Sequence, residues 1–224
     1  MKRSEINQLI RSSVTFFDEM KFRLPPWAFW KPEDWKGKYE TCHEIIDNML
    51  GWDLTDFGGG DFQRRGLILF TLRNGNLRKD MKTYAEKVMI VGELQETPTH
   101  FHWKKMEDII NRGGGNLVIE LFSADEHEGI SGYPVRVRID GILRTVASGG
   151  KVTLLPGESI CLEQRVYHRF YGKPGKGRVF VGEVSAVNDD TSDNRFLDPV
   201  GRFPEVVEDE KPLHLLVSDY SGYL

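Results

Sequence analysis

The stretch Thr97-Pro98-Thr99-His100-Phe101-His102-Trp103-Lys104-Lys105-Met106-Glu107 gathers two histidines, two lysines and a glutamate. Side chains on a β-strand alternate with period two, so a strand here sends His100 and His102 out of one face. Two imidazoles on a face, the carboxylate of Glu107 a few residues on and one further ligand from elsewhere make a divalent-metal site. The chemistry open to such a site is Lewis-acid or redox catalysis on a small molecule that binds through oxygen.

Those residues need rigid elements to hold them. From Gly66 onward the chain reads as short strands broken by glycine turns: Leu67 to Leu72, Tyr84 to Val91, Leu117 to Phe122, Val135 to Ile139 and Ile142 to Val146. Lys151 to Leu155, Ser159 to Leu162, Val166 to Tyr171 and Val179 to Ser185 complete the set. Asp140-Gly141 between two alternating runs is a two-residue hairpin signal that requires positive φ at both positions. Strands of this length and spacing predict a sandwich or barrel.

Ahead of them, Ile6, Leu9, Ile10, Phe16, Phe17 and Met20 recur at helical spacing, with Ser4 as the expected N-cap. Shorter helices are expected from Pro32 and from Tyr39 to Leu50. The expected architecture is mainly β: one domain over 1–224, with a helical extension at 1–60, a β-barrel core at 66–188 and a wrap at 189–224.

The 224 residues carry a net charge of −4 with no lysine- or arginine-rich block, which argues against nucleic acid as a partner. No run reaches transmembrane length and the N-terminus lacks an apolar signal core, so no membrane partner and a cytoplasmic location are expected. Cys42 and Cys161 have no CxxC neighbour and read as free thiols, with Cys161 as a small buried hydrophobe.

With His168 at the end of Pro156-Gly157-Glu158-Ser159-Ile160-Cys161-Leu162-Glu163-Gln164-Arg165-Val166-Tyr167-His168, the chain resembles the cupin superfamily. The first cupin motif matches His100, His102 and Glu107, and the second supplies His168. The resemblance implies a jelly-roll barrel with the N-terminal helices packed on it and a metal in its mouth. Leu94 and Arg165 stand where the motifs usually have glycine, Glu163 where proline is usual and Gly172 where asparagine is. The turn before His168 is therefore expected to be built differently.

Further segments are similar to a narrower group, the cupin-type D-lyxose isomerases. They are Leu69 to Gly75, Tyr84 to Lys87, Glu107 to Asn116, Pro156 to Leu162 and Gly182 to Asp190. That resemblance implies a metal-dependent aldose–ketose isomerase, acting on D-lyxose and D-xylulose with D-mannose and D-fructose as a second pair. It implies a divalent metal, Mn2+ first, with Zn2+, Co2+, Fe2+ and Ni2+ also compatible with the ligand set. Such chemistry needs a base to move a proton between C2 and C1. Glu183, on the strand before an acidic loop, is the expected base, and Lys105 the expected proton donor to the sugar oxygen. Lys87, Asp189, Asp193 and Arg195 are candidates for binding sugar hydroxyls. A cupin Fe(II) dioxygenase and a non-enzymatic sugar-binding cupin are the competing readings. A homodimer is expected from the habit of cupin barrels to pair and from the N-terminal aromatics.

Overall fold

The structure is a computed structural model, and it describes residues 1–189 and 192–223. Of the polar loop at 188–194, positions 190 and 191 lie outside the described residues, as does 224 in the C-terminal wrap.

Helix α1 spans Arg3–Glu19 and α2 spans Tyr39–Asp47, with short 3-10 turns at Pro26–Phe29, Pro32–Trp35 and Tyr220–Gly222. The strands are β1 Gly51–Thr55, β2 Leu67–Arg73, β3 Tyr84–Val91, β4 His100–His102, β5 Glu107–Gly114, β6 Leu117–Ala124 and β7 Ile130–Ser131. They continue as β8 Val135–Ile139, β9 Ile142–Val146, β10 Gly150–Leu154, β11 Ser159–Leu162, β12 Val166–Gly172, β13 Val179–Ala186 and β14 Asn194–Phe196. One sheet runs β1-β2-β3-β13-β5-β11-β8-β9 and the other β10-β6-β12-β4-β14, with β7 paired to β6.

The two faces of the larger sheet do different work. On β2, Leu67 and Leu69 point into the barrel, where they join Met89, Ile109, Ile119, Leu121 and Phe170. Ile68 and Phe70 point outward onto Ile6, Ile10, Phe17 and Trp52, so α1 covers this part of the sheet. A strand buried on both faces reads as an unbroken apolar run, which is why Leu67 to Leu72 lacks alternation. The Asp140-Gly141 hairpin has φ of 48° and 79°, the left-handed pair that a type I′ turn requires.

Four features differ from expectation. Helix α1 begins two residues earlier, with Lys2 as N-cap, and Ser4 instead donates through N and Oγ to Asp209. Residues 1–60 are not wholly helical, because Gly51–Thr55 pairs with β2 as an edge strand. Cys161 is only half-buried, since Ile160 and Leu162 take the inward positions of β11. The turn before His168 keeps the left-handed backbone of a glycine: φ is 61° at Arg165 and 56° at Leu94. The Arg165 N–H donates to the carbonyl of His102, tying that turn to β4.

Candidate active site

Strand β4 lies between β12 and β14, with His168 directly opposite His100 and Asn194 opposite His102. Period two puts His100 and His102 on one face, and antiparallel pairing adds His168 to it. The ring centroids stand 4.3 Å (His100–His168), 5.1 Å (His100–His102) and 5.7 Å (His102–His168) apart. Each Nδ1 meets a main-chain carbonyl: Pro98 at 2.9 Å, Asp193 at 3.2 Å and Val166 at 3.0 Å, for His100, His102 and His168 respectively. A carbonyl only accepts, so each Nδ1 carries the proton and each Nε2 presents a lone pair.

The Nε2 atoms of His102 and His168 are buried without a hydrogen-bond partner. Ligand atoms of the three histidines lie within 4.8 Å of one another, so the cluster can hold a metal ion. Glu107 Oε1 sits 3.1 Å from His168 Nε2 and 3.5 Å from His102 Nε2. Acceptors converging on one point with their donor sides turned away fit a divalent cation. Burial first, then the neighbouring His168 and His102, hold His100 well below the usual imidazole range. Burial alone would raise Glu107, but Lys105 and His102 outweigh it and hold the carboxyl well below its usual range. At neutral pH both groups are in the forms a metal requires.

Glu107 opens β5 in the other sheet, and Ser185 of β13 lies opposite it. The turn from β4 to β5 carries Lys105 across the gap. Its Nζ lies 2.7 Å from Glu107 Oε2, 2.9 Å from Glu183 Oε1 and 3.2 Å from Asn188 Oδ1. Ser185 Oγ donates to the same Glu183 oxygen at 3.1 Å, and Lys87 Nζ stands 3.7 Å from it. All these charged groups are buried. Two ammonium groups interleaved with two carboxylates make the burial tolerable.

A cavity of about 130 Å³ joins the histidine cluster to Lys87, Lys105 and Glu183. The remaining candidates lie elsewhere. Asp193 holds the site from behind, its carboxylate accepting the backbone N–H groups of Lys104 and Lys105 at 2.8 Å each. Arg195 points to the opposite side of β14 and pairs with Glu128 at 3.0 Å, leaving Asn194 and Phe196 on the cavity wall. Asp189 accepts from Ser192 Oγ and is outside the cavity lining. Asp53, Thr55, Asn194 and Arg202 line the cavity and were not anticipated. The alternation Trp52-Asp53-Leu54-Thr55 was the available signal for the first two; Arg202 has none in its neighbours.

Two antiparallel sheets curled around a cavity, with three histidines and a glutamate at one end, define a cupin-type barrel. The model of the D-lyxose isomerase family matches residues 1–220, and the chain belongs to that family. It is 48% identical to a D-lyxose/D-mannose isomerase of Serratia proteamaculans over 227 residues, covering 100% of both chains. A D-lyxose/D-mannose isomerase of Escherichia coli O157:H7 is 46% identical, again over 100% of both. Among solved structures, Cellulomonas parahominis L-ribose isomerase with L-ribose superposes with a TM-score of 0.62 at 14% identity, covering 92% of this chain and 98% of that one. The L-ribose isomerase of Geodermatophilus obscurus gives 0.61 at 14% identity with the same coverage. These two show a shared fold. Among the described residues no helix is long and apolar enough to cross a membrane.

Proposed function

We propose that this enzyme interconverts D-lyxose with D-xylulose, and D-mannose with D-fructose, by moving a proton between C2 and C1 of the open-chain sugar. The observation that carries the reading is the buried Glu183 carboxylate in one cavity with the histidine cluster, in a chain of the D-lyxose isomerase family. His100, His102, His168 and Glu107 would hold a divalent cation, Mn2+ in the first instance. When bound, the cation supplies Lewis acidity that stabilises negative charge developing on the sugar oxygens at C1 and C2.

The chain's own groups divide the remaining work. Lys105 and Ser185 orient Glu183 through Oε1, so Oε2 takes the proton from one carbon and returns it to the next. The Lys105 ammonium, held between Glu107 and Glu183, adds positive charge beside the oxygen that becomes negative. Lys87 donates to a sugar hydroxyl from the neighbouring strand position. Leu69, Met89 and Phe170 keep the reacting carbons out of bulk water.

The division of the chain follows from this: residues 1–60 brace the barrel core at 66–188, and the C-terminal wrap at 189–224 adds Asn194, Phe196 and Arg202 to the cavity wall, as one functional unit. A cytoplasmic homodimer is the assembly we expect. Phe16, Phe17 and Trp35 pack internally, which leaves Phe29 and Tyr39 as the exposed aromatics of the N-terminal region.

The test is a panel of aldoses assayed with Mn2+, Fe2+, Co2+, Ni2+ or Zn2+ after chelator treatment. D-lyxose should give D-xylulose and D-mannose should give D-fructose, fastest with Mn2+. No ketose from either sugar with any of the metals would overturn the proposal.

A further inference from the structure

The cavity has two polar ends. One is the cluster of metal ligands, lysines and Glu183. Outside it, the charged side chains on the wall are Asp53 and Arg202. Strand register places Asp53 on the same face as the base. Asp53 lies opposite Leu69, and Leu69 opposite Met89. Lys87 follows Met89 at period two, and Glu183 lies opposite Lys87. All therefore point into the barrel. Along the sheet the two ends are three strand spacings apart, about 14 Å. The sheet curls, so the side chains approach each other across the cavity rather than along that arc.

Arg202 is held there by the backbone around it. The N–H of Gly201 donates to the carbonyl of Phe57 at 2.9 Å, and Thr55 Oγ1 donates to the carbonyl of Arg202. Gly58 and Gly201 approach so closely that a Cβ on Gly58 would stand 2.9 Å from the Gly201 Cα. The C-terminal segment is thus pinned to the end of β1. From this anchor Arg202 Nη2 reaches Asp53 Oδ2 at 3.1 Å, with Asp53 only 8% exposed. Leu67, Leu69 and Phe57 flank the pair, giving apolar contact beside a carboxylate that accepts and a guanidinium that donates.

A hydroxyl donates one hydrogen bond and accepts others, so such a pair matches an alcohol at the end of a carbon chain. Given the isomerase reading above, on which this inference rests, C1 and C2 must lie beside Glu183 and the metal ligands. The rest of the sugar then runs away from them. D-lyxose and D-mannose have the same configuration at C2, C3 and C4, and D-mannose adds one terminal CH2OH. Discrimination between them falls to whatever meets that terminus. We propose that Asp53 and Arg202 are the specificity-determining pair that reads the terminal hydroxyl of the six-carbon sugar and sets the preference between hexose and pentose. They act on binding of the remote end and move no proton.

The test uses full-length, Mn2+-loaded wild type, Arg202→Ala, Arg202→Lys and Asp53→Asn, with metal content and thermal unfolding measured for each. Steady-state kinetics on D-lyxose and D-mannose give the ratio of kcat/KM for hexose over pentose. Arg202→Ala should lower that ratio at least about tenfold, mostly through KM, because a site built around a hydroxyl discriminates strongly by its presence. Arg202→Lys, which still donates, should recover part of it. Asp53→Asn keeps the shape of the side chain and should lower the ratio in the same direction, so the proposal does not depend on one variant folding. Equal losses on both sugars in these variants would make the pair a strap for the C-terminal segment and overturn the proposal, as would an unchanged ratio. Wild type that turns over neither sugar would instead overturn the isomerase reading, and this inference with it.

Discussion

The carboxylate of Asp193 accepts the backbone N–H groups of Lys104 and Lys105, while its carbonyl accepts the Nδ1 proton of His102. One residue thereby sets the tautomer of His102 and the path of the turn that delivers Lys105 and Glu107. Asp193→Ala strands a buried backbone donor, a change worth about 1–3 kcal/mol of stability. Mn2+ affinity should fall as well, toward the lower end of the roughly 10- to 100-fold range, because the turn that delivers Glu107 loses its anchor while the backbone carbonyl that orients His102 remains. Isothermal titration of the chelated protein with Mn2+ checks this; unchanged affinity would contradict the assignment. Cys161 offers a test of the opposite kind, because the metal site does not use it. Burial and then the hydrogen bond with Asp108 push its thiol up to about 11. The reactive thiolate is therefore scarce at neutral pH and appears only as pH rises toward 11. Labelling by a thiol reagent should be slow at pH 8 and accelerate steeply above pH 10; fast labelling at pH 7 would show that the thiol is not shielded as described.

At the scale of elements, the left-handed turns at Leu94 and Arg165 matter most to the site, since one precedes β4 and the other β12. A non-glycine residue in this conformation costs roughly 1–2 kcal/mol. Arg165 offsets that cost through its side chain, which donates to the carbonyl of Asp125 and lies 5.4 Å from the Phe101 ring centroid. Leu94 is 61% exposed and has little to lose. Leu94→Gly should therefore raise stability by about 1 kcal/mol after the entropic cost of glycine is subtracted, measurable by urea denaturation; a loss of stability would contradict the strain. Strand spacing and glycine turns made most of the barrel legible, and period two made the pair His100 and His102 legible. Four strands escaped: β7 because two residues carry no pattern, and the other three for distinct reasons. β1 sits inside a segment dominated by helix signals. β5 carries polar Asp108, Asn111 and Arg112 and ends in a bulge against β13 at Phe180/Val181, so its pattern is broken. β14 is three residues long and exists through its pairing with β4. The same reason hid Arg202: nothing local marks a side chain that reaches the cavity only because its backbone is pinned to β1. The outward turn of Arg195, by contrast, follows from period two once β14 is known.

Across the whole molecule, the apolar interior stops short of one end of the barrel, and buried charge takes over there. Leu67, Leu69, Met89, Ile109 and Phe170 belong to the core and also line the cavity, so the same side chains that hold the sheets together dry the reaction site. If the four convergent acceptors at that end hold the proposed metal, its binding is linked to folding, since the unfolded chain cannot assemble them. At a free Mn2+ concentration about 100-fold above Kd the gain is about 2.7 kcal/mol. For a chain of this size the unfolding temperature should rise by roughly 2–4 °C per kcal/mol relative to chelated protein. An unchanged unfolding temperature would contradict a metal held by His100, His102, Glu107 and His168. Sedimentation should give twice the chain mass of 25.7 kDa, and a monomer at working concentration would remove the proposed homodimer. The central claim is that Glu183 carries a proton between C2 and C1 of a sugar held in this cavity, and exchange with solvent reads that step most directly. In D2O, Mn2+-loaded wild type should place deuterium at C1 of the D-xylulose formed from D-lyxose and at C2 of the D-lyxose recovered. Glu183→Gln should abolish both while still binding Mn2+, with kcat down by roughly 100- to 10,000-fold. Undiminished exchange or undiminished turnover in Glu183→Gln would contradict it.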